Sequence, residues 1–428
     1  MKDSSLDIGL DIAVVGMGYV GLPLACLLSS CFKTTGYDVD TKRIGSLQTL
    51  QDNKKVVRVE VLRKAVENGL CFTNSLQDIA DKNLYIIAVP TPTDSRNHPD
   101  LFFLRNASAA IGKILKKGDV VVFESTVYPG VTEEECLPIL EENSGLSCRS
   151  GDFGLGYSPE RINPGDTERT VEKITKIISG SDNRTIEVLR NVYGQVISAG
   201  LYEAPSIRVA EAAKIVENCQ RDVNIAFFNE LARIFALMDI DTHEVIQAAA
   251  SKWNFMALKP GLVGGHCIGV DPYYLIDKSQ MLGYSPNILK QSRMVNDSMG
   301  VYVAEEVLRL MNKKGIMVKS SSILILGFAF KENCADIRNT KVIDIYKTLS
   351  CYSNNIVLVD PWVEAAQVQE EYGIVVHQEI PAKKYDAVIL AVGHEQFLDF
   401  SWQKYLSYPH VLFDVQGKLP LSAVDARL

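Results

Sequence analysis

An α/β protein with two doubly wound parallel-sheet domains, joined by a long central helix, is predicted from this 428-residue sequence. Three observations predict it. Short apolar runs alternate with helical patterns over the first 200 residues. Residues 206–259 contain neither Gly nor Pro and repeat apolar side chains every three or four positions. From Ser320 the first pattern restarts. Strands alternating with helices imply a parallel sheet covered on both faces. The length calls for two or three domains, drawn here at 1–200, 201–300 and 301–428.

Taken in order, residues 11–15 read as a buried strand, 19–31 as a helix and 34–38 as a second strand. Further apolar runs at 84–89 and 120–123 each end in polar turn residues. Pro205 suits the first turn of a helix. After it Val209, Ala212, Val216, Cys219, Val223, Phe227, Leu231, Ile234 and Met238 form one stripe, with Ile215, Phe228 and Phe235 off it. A helix of roughly 50 Å with two apolar faces exceeds the needs of one small domain. It is expected to join the sheet domains and pack against a second copy of the chain. Strands at 321–327, 355–360, 387–392 and 411–415, with a helix at 340–349, complete a smaller second sheet domain.

Composition narrows the function. Hydrophobic content of 47% and charged content of 22% are those of a globular protein with a sizeable core. The net charge of −8 argues against a nucleic-acid surface. Nine cysteines, an odd number with no C-x-x-C, fit a reducing, cytoplasmic setting rather than disulfides or zinc, and no metal site is expected. Residues 12–32 carry no charge, long enough to span a bilayer, but Gly16, Gly18, Gly21 and Pro23 interrupt them and no positive flank precedes them. A strand followed by a helix accounts for the stretch, and no membrane segment is expected.

The motifs carry chemistry. Gly16-Met17-Gly18-Tyr19-Val20-Gly21 follows a strand and opens a helix, where glycines let backbone N–H groups reach a pyrophosphate. Asp38 closes the next strand, placed to take the ribose hydroxyls of NAD and repel the 2′-phosphate of NADP. Both domains are therefore read as Rossmann-like. Arg43 is a candidate for the adenine, or an ordinary helix arginine. Cys267 sits in Gly264-Gly265-His266-Cys267-Ile268-Gly269-Val270-Asp271, a thiol on backbone that a ligand can approach closely. A nucleophilic thiol beside a hydride acceptor suggests oxidation through a thioester. Lys214 and Asn218, four apart, share a helix face that could hold an alkoxide or water, or be simply polar. Glu160-Arg161, in a Gly/Pro-rich loop, could be a base and an anion contact or a surface ion pair. Lys331 and Arg338 follow the first strand of the second sheet, where two cations would suit a diphosphate, with Asp336 as an internal alternative.

Together these stretches resemble the UDP-glucose/GDP-mannose dehydrogenase family over nearly the whole length. The resemblance rests on GMGYVGLPLA at 16–25, PTPTD at 90–94, ESTVYPG at 124–130, YSPERINPGD at 157–166, EAAKIVEN at 211–218, GGHCIGVDPYYL at 264–275 and GFAFKENCADIR at 327–338. It implies a four-electron oxidation of a nucleotide-sugar C6 alcohol to a carboxylate, using two NAD⁺ and one water. By resemblance Cys267 is the nucleophile, Glu160 the base for thioester hydrolysis and Lys214 the oxyanion partner. Asn218 and Asp271 are implied as partners of water and substrate oxygen. Gly16, Gly18, Tyr19, Val20, Gly21, Asp38, Arg43, Thr91, Pro92, Thr93, Ser125, Thr126 and Arg338 are implied on the cofactor, Thr126 also near the catalytic water. Glu160, Arg161, Lys214, Asn218, Lys259, Gly261, Gly264, Arg293, Phe330 and Lys331 are implied on the substrate.

Glu160-Arg161 and His266-Cys267-Ile268 are similar to the branch acting on UDP-N-acetylhexosamines, with UDP-GlcNAc or UDP-GalNAc favoured over UDP-glucose and UDP-ManNAc. Pro164 stands where the UDP-glucose branch has an acidic cofactor contact, so that contact does not transfer. The expectation is a homodimeric enzyme of surface-polysaccharide biosynthesis, with NAD on the N-terminal domain and UDP on the C-terminal domain. Its active site is expected in the cleft between them. A two-electron hydroxyacid-type dehydrogenase, or a non-catalytic sugar-nucleotide binder, would form one NADH per substrate or none.

Overall fold

The structure, a computed structural model, describes residues 9–54, 56–94, 96–162, 170–398 and 401–428. The expectation for Pro164 lies outside the described residues. The chain divides into two compact units, Met1–Glu217 with Tyr273–Met281, and Asn218–Pro272 with Leu282–Leu428.

The first unit is built on eight strands: β1 (Asp11–Val15), β2 (Lys33–Tyr37), β3 (Cys71–Thr73), β4 (Leu84–Ile87), β5 (Val120–Phe123), β6 (Gly154–Tyr157), β7 (Lys176–Gly180) and β8 (Leu201–Glu203). Their order is β3-β2-β1-β4-β5-β6-β7-β8. The central strands are short, continuous apolar runs because both faces are covered: Ile12 to Val14, all of β4, and Val121 and Val122 are 0% exposed. The uncharged stretch 12–32 resolves into β1 and the helix Gly21–Leu28. Among the described residues no helix is long and apolar enough to cross a membrane. One departure from a wholly parallel sheet appears. β6 and β7 pair antiparallel, with Gly156 opposite Gly180. Among its described residues their connection holds only a short turn, Val171–Lys173, and no crossover helix of the kind a parallel return needs.

The second unit carries a five-stranded, all-parallel sheet: β9 (Ile323–Leu326), β10 (Ile356–Val359), β11 (Tyr385–Leu390), β12 (Leu406–Asp414) and β13 (Ala426–Arg427), in the order β10-β9-β11-β12-β13. Helices Met299–Lys313 and Val342–Ser350 bury Met299, Val303, Val307, Ile345 and Leu349 against Ile323 and Ile325.

The dividing line falls inside the long helix, Ile207–Leu237, whose 31 residues span about 46 Å. The helix stops at Leu237 although no Gly or Pro ends it. Asp239 adopts a left-handed φ of 53°, and the Asp241 side chain accepts from the Glu244 N–H at 2.9 Å, capping a new helix Thr242–Ala250. Met238, the last member of the predicted stripe, therefore lies beyond the helix.

The larger surprise is which face is buried. Val209, Val216, Phe227 and Ile234 are 43%, 55%, 54% and 44% exposed, whereas Glu211, Asp222 and Asn229 are 0% exposed and Lys214 is 5%. Within each unit the helix turns these polar side chains inward together with Ile215 and Phe228, while half of the predicted stripe within the helix faces out.

Candidate active site

In the first unit the chain bends sharply between β1 and the helix Gly21–Leu28. Gly16 takes φ +97°, and its N–H donates to the Tyr37 carbonyl at 2.8 Å. A Cβ on Gly21 would lie 1.9 Å from the Gly16 carbonyl oxygen, so that glycine is demanded by the turn itself. A Cβ on Gly18 would meet nothing within 4 Å. No protein atom among the described residues requires glycine there, so the position is open to an approaching ligand. Asp38 accepts from the Met17 N–H at 2.7 Å and from Asp40 N–H at 2.9 Å, which holds its carboxylate at the rim of the glycine loop. Tyr19 and Val20 lie on the same loop, Tyr19 exposed. These residues fit a dinucleotide.

Arg43, a candidate for the adenine or an ordinary helix arginine, is buried against the glycine loop. It is 4% exposed, donates to the Met17 carbonyl at 2.9 Å and pairs with Asp52 at 2.6 Å. A buried guanidinium needs a counter-charge, and Asp52 supplies it. Arg43 thus holds the loop from beneath.

Two further loops meet beside β4 and β5. Thr91 donates its hydroxyl to the Thr126 carbonyl at 2.7 Å, and Ser125 donates to the Val89 carbonyl at 2.7 Å. Thr93 makes an isolated bridge with Pro99. The Tyr274 hydroxyl clamps the first loop, donating to the Thr91 carbonyl and reaching that of Pro92 at 3.3 Å. Tyr274 was not singled out from the sequence. It is 0% exposed and lies seven residues beyond Cys267.

Glu160 follows β6. Its carboxylate accepts from the Ile162 N–H of its own turn, while Arg161 pairs with Glu217 (Nε–Oε2 3.1 Å) and donates to the Thr175 carbonyl at 3.1 Å. The surface-pair alternative for Glu160 and Arg161 is therefore replaced: Arg161 takes a different acid. Burial pushes the Glu160 carboxyl above the ordinary range, opposed by Lys214 and then Lys176. A carboxyl raised in this way is a candidate proton acceptor.

In the second unit Asn218 donates its amide to the Asp271 carboxylate, which is 2% exposed. Asp271 opens the helix Asp271–Met281, and its N–H donates to the Cys267 carbonyl at 2.8 Å. Cys267 itself is partly exposed. Just before it Gly265, at φ +79°, donates to the Arg338 carbonyl at 3.0 Å. Cβ atoms on Gly264 or Gly265 would meet Phe330 at 2.9 and 3.0 Å. The sequence motifs around Cys267 and around Phe330–Lys331 are thus one packed element. Arg338 chelates Asp336 (Nε–Oδ1 2.9 Å), the internal alternative seen in the sequence.

Asn229 brackets Gly261 through both backbone groups, at 3.0 and 2.8 Å, and donates to Asn296 at 2.8 Å. Asn296 in turn donates to Asp222 at 2.7 Å. Arg293, expected at the substrate, is 2% exposed and pairs with Asp222 and Asp297, each at 2.5 Å. It braces the network behind the Lys259–Gly261 loop, where Lys259 is exposed. Asp222, Asn229 and Asn296 escaped the sequence reading, although polar residues at 211, 214, 218, 222 and 229 recur at helical spacing. That period was the available signal.

A dinucleotide cradle at the first helix, with an acid at the end of the second strand, defines an NAD-type oxidoreductase. The comparisons agree. Residues 10–197 match the NAD binding domain of the UDP-glucose/GDP-mannose dehydrogenase family, 208–298 its central domain and 324–420 its UDP binding domain. The chain is 51% identical to UDP-N-acetyl-D-glucosamine 6-dehydrogenase of Salmonella typhi, covering 97% of this chain and 98% of that protein. It is 48% identical to the protein of the same name in Pseudomonas aeruginosa, covering 98% and 99%. Among solved structures, UDP-D-ManNAc dehydrogenase from Pyrococcus horikoshii superposes with a TM-score of 0.87 at 26% identity, covering 98% of each chain. The chain belongs to the UDP-glucose/GDP-mannose dehydrogenase family, and its cofactor is NAD.

Proposed function

We propose that this chain oxidises the C6 hydroxyl of a UDP-N-acetylhexosamine, UDP-GlcNAc or UDP-GalNAc, to the carboxylate, with Cys267 as covalent nucleophile. The observation that carries the reading is the turn that starts at Cys267. Its carbonyl holds the Asp271 N–H, and Asp271 is bonded to Asn218, four residues along the helix from the buried Lys214.

Bound NAD⁺ supplies a hydride acceptor in each of two oxidations. Lys214 stabilises the alkoxide formed when the C6 hydroxyl loses its proton. Loss of a first hydride turns the alkoxide into an aldehyde; the Cys267 sulfur adds to its carbon while the thiol proton passes to the oxygen, giving a thiohemiacetal, so no free aldehyde escapes. Loss of a second hydride leaves a thioester. A water, deprotonated by Glu160, attacks the thioester carbonyl; the C–S bond breaks and Cys267 leaves as thiolate. Asp271 and Asn218 hold the substrate oxygen and water. Thr91, Pro92, Thr93, Ser125 and Thr126 line the nicotinamide side, Arg161, Lys259, Gly261, Gly264, Phe330 and Lys331 the sugar nucleotide, and Arg338 a cofactor phosphate.

The relatives' names favour UDP-GlcNAc over UDP-ManNAc: the two near 50% identity carry UDP-N-acetyl-D-glucosamine in theirs, whereas one named for UDP-N-acetyl-D-mannosamine, from Campylobacter jejuni, is 32% identical. The exposed Val216 and Phe227 support a homodimer formed through the long helix. The product uronate suits a surface polysaccharide.

NADH yield with UDP-GlcNAc, UDP-GalNAc, UDP-ManNAc and UDP-glucose tests the reading. Two NADH per UDP-GlcNAc or UDP-GalNAc are expected, with Cys267→Ala binding NAD but forming no acid. One NADH per sugar, or full turnover by Cys267→Ala, would remove the thioester from the mechanism.

A further inference from the structure

Beneath the Glu160 turn lies a charged cluster that the reaction above leaves unused. Lys176 opens β7, Glu124 follows β5, and Tyr193 lies on the helix Asn183–Val196; they are 6%, 2% and 0% exposed. The Lys176 ammonium donates to Glu124 at 2.8 Å and to the carbonyls of Pro159 at 3.2 Å and Ser158 at 3.5 Å. Tyr193 donates its hydroxyl to the other Glu124 oxygen, and the lysine stands 5.2 Å over the Tyr193 ring. The two carbonyls in the lysine's grip belong to the residues immediately before Glu160. Lys176 and Glu160 also line one small cavity with Pro159 and Thr175. A buried ion pair contributes little net stability compared with apolar packing. Its place under a candidate base calls for another explanation.

We propose that Lys176 and Glu124 are positioning residues for Glu160: the lysine fixes the turn and the charge of the carboxylate, and Glu124 sets how much of the lysine's charge reaches it. This rests on Glu160 being the base that deprotonates water. The groups facing Glu160 are Lys214 on the long helix, Lys176 on β7 and Glu124 at the end of β5, with Tyr193 held in its neutral form by burial. Both lysines favour the ionised carboxylate, and Glu124 disfavours it. Removing one member of the pair therefore acts opposite to removing the other. Glu160 must be ionised to accept a proton, so thioester hydrolysis rises with pH through its titration. Lys176→Met moves that acid limb to higher pH, and Glu124→Gln moves it to lower pH. A merely structural pair would move neither in this paired way.

The test is the NADH burst and the slow phase after it, measured against pH with UDP-GlcNAc, or the best of the four sugars, and NAD. Intact-mass detection follows the acyl group on Cys267. Lys176→Met is expected to slow hydrolysis roughly tenfold or more near neutral pH, with acyl-enzyme accumulating and KM for the sugar nearly unchanged. If that variant fails to fold, Glu124→Gln and the double variant E124Q/K176M, which leaves no orphan carboxylate, carry the test. An acid limb lowered by Glu124→Gln, with the double variant displaced upward from it, supports the proposal. Wild-type limbs in these variants, while Glu160→Gln stalls as acyl-enzyme, overturn it alone. Wild-type hydrolysis by Glu160→Gln overturns the base reading, and this inference with it.

Discussion

Asn218 donates its side-chain amide to the carboxylate of Asp271, and that bond ties the long helix to the turn carrying Cys267. The Asp271 carboxylate is 2% exposed, so each donor it receives replaces water it has lost.

Asn218→Ala should therefore cost about 1–3 kcal/mol of stability by stripping a donor from a buried acid. Acid formation should fall with it, while NAD affinity, which depends on the glycine loop, stays constant. Thermal melts and NAD titration separate the two effects. Unchanged turnover would make the bond incidental.

Gly18 and Gly21 should respond differently to the same change. Gly18→Ala meets open space and should melt like the parent, yet lose most NAD binding. Gly21→Ala drives a methyl against the Gly16 carbonyl and should lower the melting temperature as well. Calorimetric NAD titration beside a melt checks both.

Arg427 holds the Asp241 carboxyl below its usual range through paired bonds at 2.7 and 2.8 Å. A depressed acid stabilises the fold fully above its unfolded value, about pH 4, and stops doing so as pH falls through the folded value. Asp241→Asn keeps the helix cap and removes only the charge. It should cost about 1–3 kcal/mol at pH 7 and progressively less in acid. Urea denaturation at pH 7 and pH 3 reads the difference; an equal loss at both would assign the effect to packing.

The outward apolar face predicts self-association. The double variant V216E/F227E should stay folded, because both side chains are more than half exposed, and should halve the mass seen by light scattering if the helix forms the dimer. A dimer that persists would move the interface elsewhere.

Much of this was readable from local pattern. β1, β4, β5 and β9 announce themselves as continuous apolar runs, and the Gly16–Gly21 loop by the spacing of its glycines. The Cys267 turn is marked by Gly264 and Gly265, although the residue that requires them to be small, Phe330, comes from far along the chain. The long helix ends at Leu237, one residue before the last member of its stripe, because Asp239 and Asp241 break and restart it as Gly or Pro would. The antiparallel β7 escaped because a strand's direction is not written in its residues.

What the amino acids determined alone was the alternation of strands and helices and the presence of the dinucleotide and cysteine motifs, since each is a pattern of residues a few positions apart. The tertiary structure alone decided which face of the long helix turned inward and which acids the buried cations met. Arg43 took Asp52, Arg293 took Asp222, and Lys176 met Glu124 across 52 positions and Tyr193 met the same acid across 69. A buried charge must find its counter-charge in space, and proximity in space is what folding creates.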